Sequence, residues 1–328
     1  MLRAEQPACL LRLRATAVLP GGRGPLDSTV WSRHRHAQGQ GQDGNSECKR
    51  SEPRKGNAPG PMRITVKAAL KMIIPAKFRP ALKRAYRKTR HFGFAYRCPF
   101  CESRLRALLP FGGKAPVLKE KRVVGGGYRL NSICPVCGSS DRERLIYLYL
   151  LHESNTFRRR CTVLHVAPEE QLQKILSCSS NVDYLTADLL SQHVMVRMDI
   201  TRIPLPDNSF DVILCNHVLE FVADDHKAMA ELCRVLKPGG WAILQVPISL
   251  GLERTVEDLS ITTPQGREEA FGDKDALRIY ACDYETRLAR AGFHVEVFSW
   301  LAKPERFGGC KNKHCLIREE RVHVARKS

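Results

Sequence analysis

The stretch LPDNSFDVILCNHVLEFVADDHKAMAELCRVLKPGGWAIL, residues 205–244, decides the fold. It contains an apolar strand pattern at Phe210–Cys215, a helical pattern at Asp224–Leu236 and a second apolar strand pattern at Trp241–Val246. The turn Leu236–Gly240 carries two glycines, which adopt backbone angles that other residues avoid. This order predicts neighbouring parallel strands joined by a helix that covers one face of a sheet.

The same alternation of strands and helices continues on both sides of this stretch. Ser140 precedes a helical pattern and is expected to cap it, with acidic residues in the first turn. Helices are also predicted at Glu169–Leu176 and Asp283–Ala291, and strands at Thr162–Val166, Val182–Thr186, Val194–Met198, Phe293–Trp300 and Arg321–Ala325. The pattern predicts an α/β fold with a mostly parallel sheet covered on both faces.

Residues 205–244, with the LKPGG turn, resemble the central part of class I S-adenosylmethionine (SAM)-dependent methyltransferases of the type 11 kind. The resemblance covers about residues 141–328 and implies a Rossmann-like sheet that binds SAM. A subgroup of such proteins also carries a CxxC…CPVCGS segment followed by LLHxAPE, and this chain is similar to that subgroup from about Met62 onward.

The resemblance implies a set of cofactor-binding residues at the carboxyl ends of the first strands. The loop after the first strand is expected to contact the methionine part of SAM, an acid after the second strand the ribose, a pair after the third strand the adenine, and an asparagine after the fourth strand the sulfonium. In this chain those positions are Val166, Ala167 and Glu169; Asp188; Asp199 and Ile200; and Asn216.

The first motif departs from the family pattern, in which an acid precedes a glycine-rich turn. Here LHVAPEEQL has His165 in place of the acid and no glycine in the turn. A turn without glycine is expected to keep the backbone farther from a ligand. We therefore expect Glu169 to supply the missing carboxylate to the SAM amino group.

Two residues after the fourth strand are candidate catalytic groups. The ordinary pKa of histidine, about 6.5, suits removal of a proton near neutral pH, so His217 is a candidate general base or a half-buried structural histidine. Glu220 lies three residues later and is expected on the same helical face. Relatives often have a histidine directly after this glutamate, where this chain has Phe221.

Polar residues between the fifth and sixth strands suggest a lid over the substrate. Tyr280, Asp283 and Tyr284 are candidate lid or substrate contacts, with a surface loop and a helix cap at Asp283 as the alternative.

Two CxxC pairs, Cys98/Cys101 and Cys134/Cys137, predict a four-cysteine zinc knuckle over about residues 95–140. Each tight turn aims two thiolates at one point, and two such turns complete a tetrahedral S4 site that suits structural zinc. Val123–Tyr128, between the pairs, is expected to form a strand and turn of a zinc ribbon. A redox dithiol is the alternative. A weaker second metal candidate combines Cys310, His314 and Cys315.

Basic charge is concentrated at the N-terminal end of the chain. The net charge is +19, and residues 1–97 contain 21 of the 53 Lys and Arg but only 5 of the 34 Asp and Glu. Residues 1–61 are expected to be disordered or a non-native extension. Residues 62–94 are expected to form a basic amphipathic arm that binds an anionic surface, or a solvated basic helix packed on the domain. Scattered cysteines and no apolar run of about 18 residues favour a cytoplasmic protein, or an imported organellar one if residues 1–61 are genuine.

These features predict a SAM-dependent methyltransferase that methylates an oxygen or nitrogen nucleophile. The nearly neutral charge after residue 97 favours a small-molecule or glycan acceptor, whereas the basic arm suits RNA or an anionic membrane surface. The alternatives are a non-catalytic zinc-binding scaffold with a degenerate methyltransferase fold, or a nucleic-acid-binding module.

Overall fold

The computed structural model describes Pro75 and residues 78–328 of the chain. The expectation for residues 1–61 lies outside the described residues, as does most of the arm before residue 78. The chain divides into two units, Met1–Pro80 and Ala81–Ser328, and the elements after residue 90 all belong to the second unit. No helix in the described part of the chain is long and apolar enough to cross a membrane.

The N-terminal part of the described chain holds short elements. They are α1 (Arg79–Arg90), β1 (Phe92–Arg97), β2 (Arg104–Leu105), β3 (Leu109–Phe111), α2 (Pro116–Glu120), β4 (Val123–Val124), β5 (Arg129–Ile133) and α3 (Asp141–His152). Strands β1 and β2 pair antiparallel, and so do β3 and β5. Cys98 and Cys101 lie in the loop between β1 and β2, and Cys134 and Cys137 follow β5 directly.

The remaining elements alternate between strand and helix. They are β6 (Cys161–Val166), α4 (Glu170–Cys178), β7 (Val182–Asp188), β8 (Val196–Arg197), β9 (Phe210–Asn216), α5 (Asp225–Val235), β10 (Leu236–Gln245), β11 (Ile248–Ser249), β12 (Val256–Glu257), α6 (Pro264–Phe271), β13 (Arg278–Ile279), α7 (Tyr284–Arg290), β14 (His294–Phe298) and β15 (Val322–Arg326). All the strands and helices predicted from Ser140 onward are present, with ends shifted by a few residues.

The central sheet has seven strands in the order β14-β15-β10-β9-β6-β7-β8. Strands β6 to β10 pair in parallel, and β15 inserts antiparallel between β10 and β14. The predicted Rossmann-like α/β sheet of a class I methyltransferase is therefore confirmed. The carboxyl ends of β6, β7 and β9 meet at one edge, where open α/β sheets bind ligands.

Side chains alternate between two hydrophobic cores along the central strands. In β6, Val163 packs into the core under α3 and α4, whereas Leu164 packs into the core under α5 and α7. In β9, Val212 and Ile213 divide in the same way. Burial of both faces explains why these strands are continuously apolar.

The glycines of the LKPGG turn are required by local geometry. Gly239 has φ +74°, in the left-handed region that favours glycine. A Cβ on Gly240 would lie 2.9 Å from the carbonyl oxygen of Lys237 and 3.0 Å from that of Asp211. The turn therefore lets β10 begin directly after α5 and then align in parallel with β9.

Helix α3 begins with the predicted cap. The Ser140 hydroxyl accepts a hydrogen bond from the backbone N–H of Glu143, and the Glu143 carboxylate accepts one from the N–H of Ser140. The backbone N–H groups of Ser140 and Glu143 have no partner within the helix, and each thus donates to the side chain of the other residue. The completely buried Arg144 then donates to the carbonyl oxygens of Ser139, His314 and Cys315. This arginine therefore joins the second cysteine turn to the segment before β15.

The segment between the cysteine pairs is placed differently from the expectation. Val123–Val124 does not join a zinc ribbon: β4 pairs antiparallel with β11, which follows the fifth sheet strand. Val117, Leu118 and Val123 pack against Phe271 of α6 in a separate apolar cluster. The loop is therefore held by its pairing with β11 and by buried apolar contacts to α6, and not by pairing within a zinc ribbon.

Candidate active site and four-cysteine centre

The register of the central strands brings the predicted cofactor-binding residues to one edge of the sheet. Val166 pairs with Ala187 and with Cys215, and Asp188 pairs with Arg197. Asn216 ends β9 beside Gln245 at the end of β10. Val166 and Ile200 are buried in the core, so their side chains form the base of this edge.

The turn after β6 achieves a sharp bend without glycine. Ala167 has φ +47°, and its N–H donates to the carbonyl oxygen of Ala187 at 2.8 Å. An L-residue in this conformation carries a penalty of about 1–2 kcal/mol. Alanine therefore adopts a left-handed conformation that glycine takes more readily, and the expectation of a more distant turn stays a prediction.

His165, which stands where the family pattern has an acid, belongs to a hydrogen-bonded chain. The fully buried His165 lies 2.7 Å from the Tyr184 hydroxyl through Nδ1 and 2.7 Å from Glu169 Oε2 through Nε2. The tyrosine hydroxyl can donate to Nδ1 while Nε2–H donates to the carboxylate. His165 thus orients Glu169 at the mouth of the turn.

Asp188 and Asp199 each stabilise the turn that follows them. Oδ1 of Asp188 accepts hydrogen bonds from the N–H groups of Leu190 and Ser191, both at 2.7 Å. Oδ1 of Asp199, which is exposed, accepts one from the N–H of Thr201 at 2.8 Å. In the described part of the chain these bonds use one carboxylate oxygen of each residue, and the other oxygen remains for a ligand. Their cofactor roles stay predictions.

Asn216 is buried, and neither its amide nitrogen nor its carbonyl oxygen has a hydrogen-bond partner among the described residues. Buried polar groups are nearly always satisfied, and an unsatisfied one costs about 1–3 kcal/mol. An amide held in this state at the ligand edge of an α/β sheet is suited to pair with a bound molecule.

His217 and Glu220 lie together, as their spacing predicted. Nδ1 of His217 is 3.2 Å from Glu220 Oε1, and His217 itself has φ +54°. Burial lowers the pKa of His217 well below its ordinary value, with Arg142 and Arg129 adding to the effect. Burial raises the pKa of Glu220 to about 8. Both shifts favour a neutral pair at pH 7, so the ordinary histidine pKa used in the sequence argument does not apply here.

The structure adds Glu320, which the sequence argument missed. Glu320 is buried beside the start of β15, and its Oε1 accepts a hydrogen bond from Gln245 Nε2 at 2.6 Å. Its Oε2 has no partner among the described residues. Burial raises the pKa of Glu320 to about 7. A carboxyl group that is half ionised near neutral pH is well matched to accept a proton.

Gly125, in the loop between the cysteine pairs, forms the roof over these groups. A Cβ on Gly125 would lie 3.1 Å from Oε2 and 3.3 Å from Oε1 of Glu320, and 3.5 Å from His217 Cε1. A cavity of about 300 Å³ lies along this loop, between Arg122 and Arg129. A second cavity of about 170 Å³ includes Glu320 in its lining. Gly125 thus lines the first cavity and Glu320 lines the second.

Positive charge from α3 reaches this region. The charge of Arg142 lowers the pKa values of His217, Glu220 and Glu320. For His217 it adds to the effect of burial, and for the two glutamates it opposes that effect. Arg129 is held nearby by an ion pair to Asp141 at 2.7 Å. The segment that follows the second cysteine pair thus contributes charge to the candidate site.

Two of the proposed lid residues, Tyr280 and Tyr284, are part of the core, which corrects that expectation. Tyr280 and Tyr284 are fully buried. The Tyr280 hydroxyl donates to Asp225 Oδ2 at 2.7 Å, and the Tyr284 hydroxyl donates to the Leu244 carbonyl at 2.9 Å. Asp283 accepts hydrogen bonds from the N–H and hydroxyl of Thr255, so it fixes a loop. A buried acid on α5 supplied a partner that local sequence does not reveal.

The four cysteines form one compact group. Their sulfur atoms all lie within 4.8 Å of one another. Sγ of Cys98 is 3.6 Å from that of Cys137, and Sγ of Cys101 is 3.8 Å from that of Cys134. Tetrahedral Zn–S bonds of about 2.3 Å require sulfur separations of about 3.8 Å. The group therefore fits zinc in size and in donor chemistry.

The two cysteine turns share one backbone design. The N–H of Cys98 donates to the Ser103 carbonyl, and the N–H of Cys134 donates to that of Ser139. The residue after the second cysteine of each pair is left-handed: Glu102 has φ +57° and Gly138 has φ +85°. The Ser103 and Ser139 hydroxyls lie 3.2–3.3 Å from cysteine sulfurs and can donate to thiolates.

The second metal candidate is wrong. In residues 78–328 the only group of three or more metal-binding side chains within range is the four-cysteine group. Nδ1 of His314 instead lies 2.8 Å from the Arg97 carbonyl, and Cys315 Sγ lies 3.1 Å from the Asn131 carbonyl. Cys310 is exposed. The His314–Cys315 segment therefore packs against the cysteine turns as a structural support.

Comparison with known proteins agrees with this fold. A family described as a methyltransferase domain matches residues 154–244, the stretch that runs from β6 to β10. These residues are similar to that family's domain. The chain is 37% identical over 79 residues to the ubiquinone/menaquinone biosynthesis C-methyltransferase UbiE of Francisella tularensis subsp. novicida. This match covers 24% of this chain and 26% of that protein. It is 30% identical over 98 residues to a probable SAM-dependent methyltransferase of Mycolicibacterium smegmatis, covering 30% of this chain and 34% of that protein.

The chain thus spans about a quarter to a third of the length of these curated relatives. Among solved structures, a SAM-dependent methyltransferase from Archaeoglobus fulgidus is 11% identical, with a TM-score of 0.38, and the alignment covers 58% of this chain and 95% of that one. The family match and the two curated relatives support the predicted class of SAM-dependent methyltransferase. The resemblance to the LHxAPE subgroup stays a prediction.

Proposed function

We propose that the chain transfers the methyl group of SAM to a hydroxyl or amine of a small molecule or glycan. The observation that carries this proposal is a group of buried polar atoms that have no hydrogen-bond partner among the described residues. They belong to Asn216, His217, Glu220 and Glu320. Such atoms cost about 1–3 kcal/mol each unless a ligand satisfies them. A site that keeps several of them is suited to a polar ligand.

The proposed cofactor site uses the first four strands. Ala167 turns the backbone, and Glu169, held by His165, is placed to receive the amino group of SAM. Asp188 and Asp199 offer carboxylate oxygens to hydroxyl and amino donors. SAM supplies an electrophilic methyl group, so the protein's main task is to align the acceptor with it.

The proposed acceptor site lies between Gly125 and the ends of β9 and β10. Glu320 is the candidate base, because its Oε2 faces Gly125 and its pKa is about 7. It can accept the proton that an acceptor hydroxyl loses as it attacks, or the proton that an ammonium group must lose before its nitrogen can attack. The neutral His217–Glu220 pair is better suited to orient the acceptor by hydrogen bonds. The carbon acceptor named for UbiE is not carried over, since that match covers 26% of the protein.

Two observations favour a small acceptor over a polymer. The cavities of about 170 and 300 Å³ beside Glu320 and Gly125 suit a small molecule or a sugar unit. Charge after residue 97 is nearly balanced, whereas nucleic-acid sites are strongly basic.

We also propose that Cys98, Cys101, Cys134 and Cys137 bind a structural zinc ion. Four thiolates leave no open coordination position, so the ion would hold the two turns together and thereby support the loop that carries Gly125. A cytoplasmic location stays a prediction.

The test uses the zinc-loaded full chain with SAM labelled in its methyl group and cell extracts separated into small-molecule, glycan, RNA and protein fractions. We expect label to enter a small-molecule or glycan fraction, and transfer to fall at least tenfold in Glu320→Gln and in Asp188→Asn. The Glu320 variant should retain SAM binding, whereas the Asp188 variant should lose it. Label in RNA or protein alone would overturn the acceptor class, and no transfer in any fraction, together with no SAM binding, would favour the non-catalytic scaffold.

A further inference from the structure

Helix α1 is exposed on all sides from Ala81 to Arg90, yet its side chains are strictly segregated. With about 3.6 residues per turn, Leu82 and Tyr86 lie one above the other, 50% and 61% exposed. Ala85 and Thr89 extend this arc, and the Thr89 hydroxyl donates to the Tyr86 carbonyl at 2.9 Å, so it needs no water. The rest of the circumference is occupied by Lys83, Arg84, Arg87, Lys88 and Arg90.

The strand that follows extends the apolar surface. Phe92 and Phe94 are 53% and 73% exposed, and their rings contact edge to face with centroids 5.3 Å apart. The Arg104 guanidinium lies 5.7 Å from the centroid of the Phe94 ring. Exposed aromatic rings beside cationic groups are typical of segments that lie at the boundary between water and lipid.

We propose that residues 81–94 bind the anionic surface of a lipid bilayer, with α1 lying in the plane of the interface. Leu82 and Tyr86 enter the acyl boundary, and the basic side chains contact lipid phosphates. This inference is independent of the proposed methyl transfer.

Charge and pattern select this occupant over the others. A nucleic acid would use the basic side chains but has no use for a continuous apolar arc on the same helix. Residues 62–77 of the chain carry four basic and no acidic side chains, so they do not complement the five basic and no acidic side chains of residues 81–90. An anionic bilayer satisfies both the apolar arc and the positive charge.

The experiment measures co-sedimentation of the zinc-loaded full chain with vesicles of phosphatidylcholine alone and of phosphatidylcholine with 30% phosphatidylserine. We expect at least tenfold stronger binding to the anionic vesicles, weakened by about 0.5 M salt. Leu82→Ser/Tyr86→Ser removes apolar area without changing charge, and Arg84→Glu/Lys88→Glu reverses two charges. Each double variant should weaken binding about tenfold or more.

A matched control, Arg158→Glu/Arg159→Glu, reverses the charge of two exposed arginines outside α1. It changes the net charge by the same amount as Arg84→Glu/Lys88→Glu. This control should bind vesicles like the unchanged chain. Equal loss in the control and the α1 charge variant would overturn the proposal, because general charge would then explain binding. Binding unaffected by the serine substitutions, or binding to a single-stranded RNA oligonucleotide but not to vesicles, would also overturn it.

Discussion

Replacing Glu320 with glutamine should make the protein more stable at alkaline pH and leave its stability at acidic pH nearly unchanged. The buried carboxyl group is protonated in the folded state up to about pH 7, whereas its ordinary pKa is 4.5. Unfolding therefore releases a proton between these values, and the stability that this group contributes is lost as pH rises through that window. Glutamine has the same shape and keeps an oxygen for Gln245, but it has no proton to release.

The size of the effect follows from the two pKa values. A rise from 4.5 to about 7 corresponds to about 3 kcal/mol, since each pKa unit is worth about 1.4 kcal/mol. Glu320 is 3% exposed, so solvent screening does not reduce this figure much. We expect the variant to gain about 3 kcal/mol relative to the unchanged chain between pH 5 and pH 8.5, with most of the gain between pH 5 and pH 7.

The assay is urea unfolding of the zinc-loaded chain at a series of pH values, followed by tryptophan fluorescence, to which the buried Trp300 contributes. Comparing variant with unchanged chain cancels the titration of other groups, including His217. The matched control is Glu319→Gln, an exposed neighbour, which should change stability by less than about 0.5 kcal/mol at every pH. If the difference in unfolding free energy between Glu320→Gln and the unchanged chain does not vary with pH, Glu320 does not titrate with a raised pKa in the folded protein.

Three further perturbations test other parts of the account. Cys134→Ser should abolish the binding of one zinc ion per chain, measured by elemental analysis, and should lower the unfolding midpoint. The control Cys282→Ser changes an exposed cysteine and should retain zinc. Equal zinc content in the two variants would contradict the four-cysteine assignment. Asp225→Ala should destabilise the protein by about 3 kcal/mol in urea unfolding, because the buried Arg287 guanidinium loses its bidentate partner and keeps only the longer ion pair to Glu257 at 3.4 Å. A loss below about 1 kcal/mol would contradict this. Ala167→Gly should stabilise the protein by about 0.5–1 kcal/mol, as relief of the left-handed strain outweighs the added chain entropy, and a lower thermal midpoint would argue against strain there.

Much of the fold could be predicted because its determinants are local. The continuous apolar patterns of the sheet strands, the serine cap at Ser140 and the LKPGG turn each act within a few residues. Parallel strands also place their carboxyl ends together, so the edge formed by Asp188 and Asn216 followed from strand order alone.

The remaining site could not be predicted because its parts are far apart in the chain. Gly125 and Glu320 approach through the pairing of β4 with β11 and the insertion of β15, and neither residue stands in a recognisable motif. The burial of Tyr280 depends on Asp225, which lies on another element. Polar residues in a predicted loop therefore looked like a lid, although partners elsewhere in the chain bury them.

Calorimetric titration of the zinc-loaded full chain with SAM and with its demethylated product tests directly whether the chain binds the cofactor of a methyltransferase. We predict micromolar binding of both at one site per chain, lost in Asp188→Asn, which keeps an oxygen for the N–H groups of Leu190 and Ser191 but lacks the charge. Absence of binding up to millimolar ligand in a folded protein would contradict the assignment of a SAM-dependent methyltransferase.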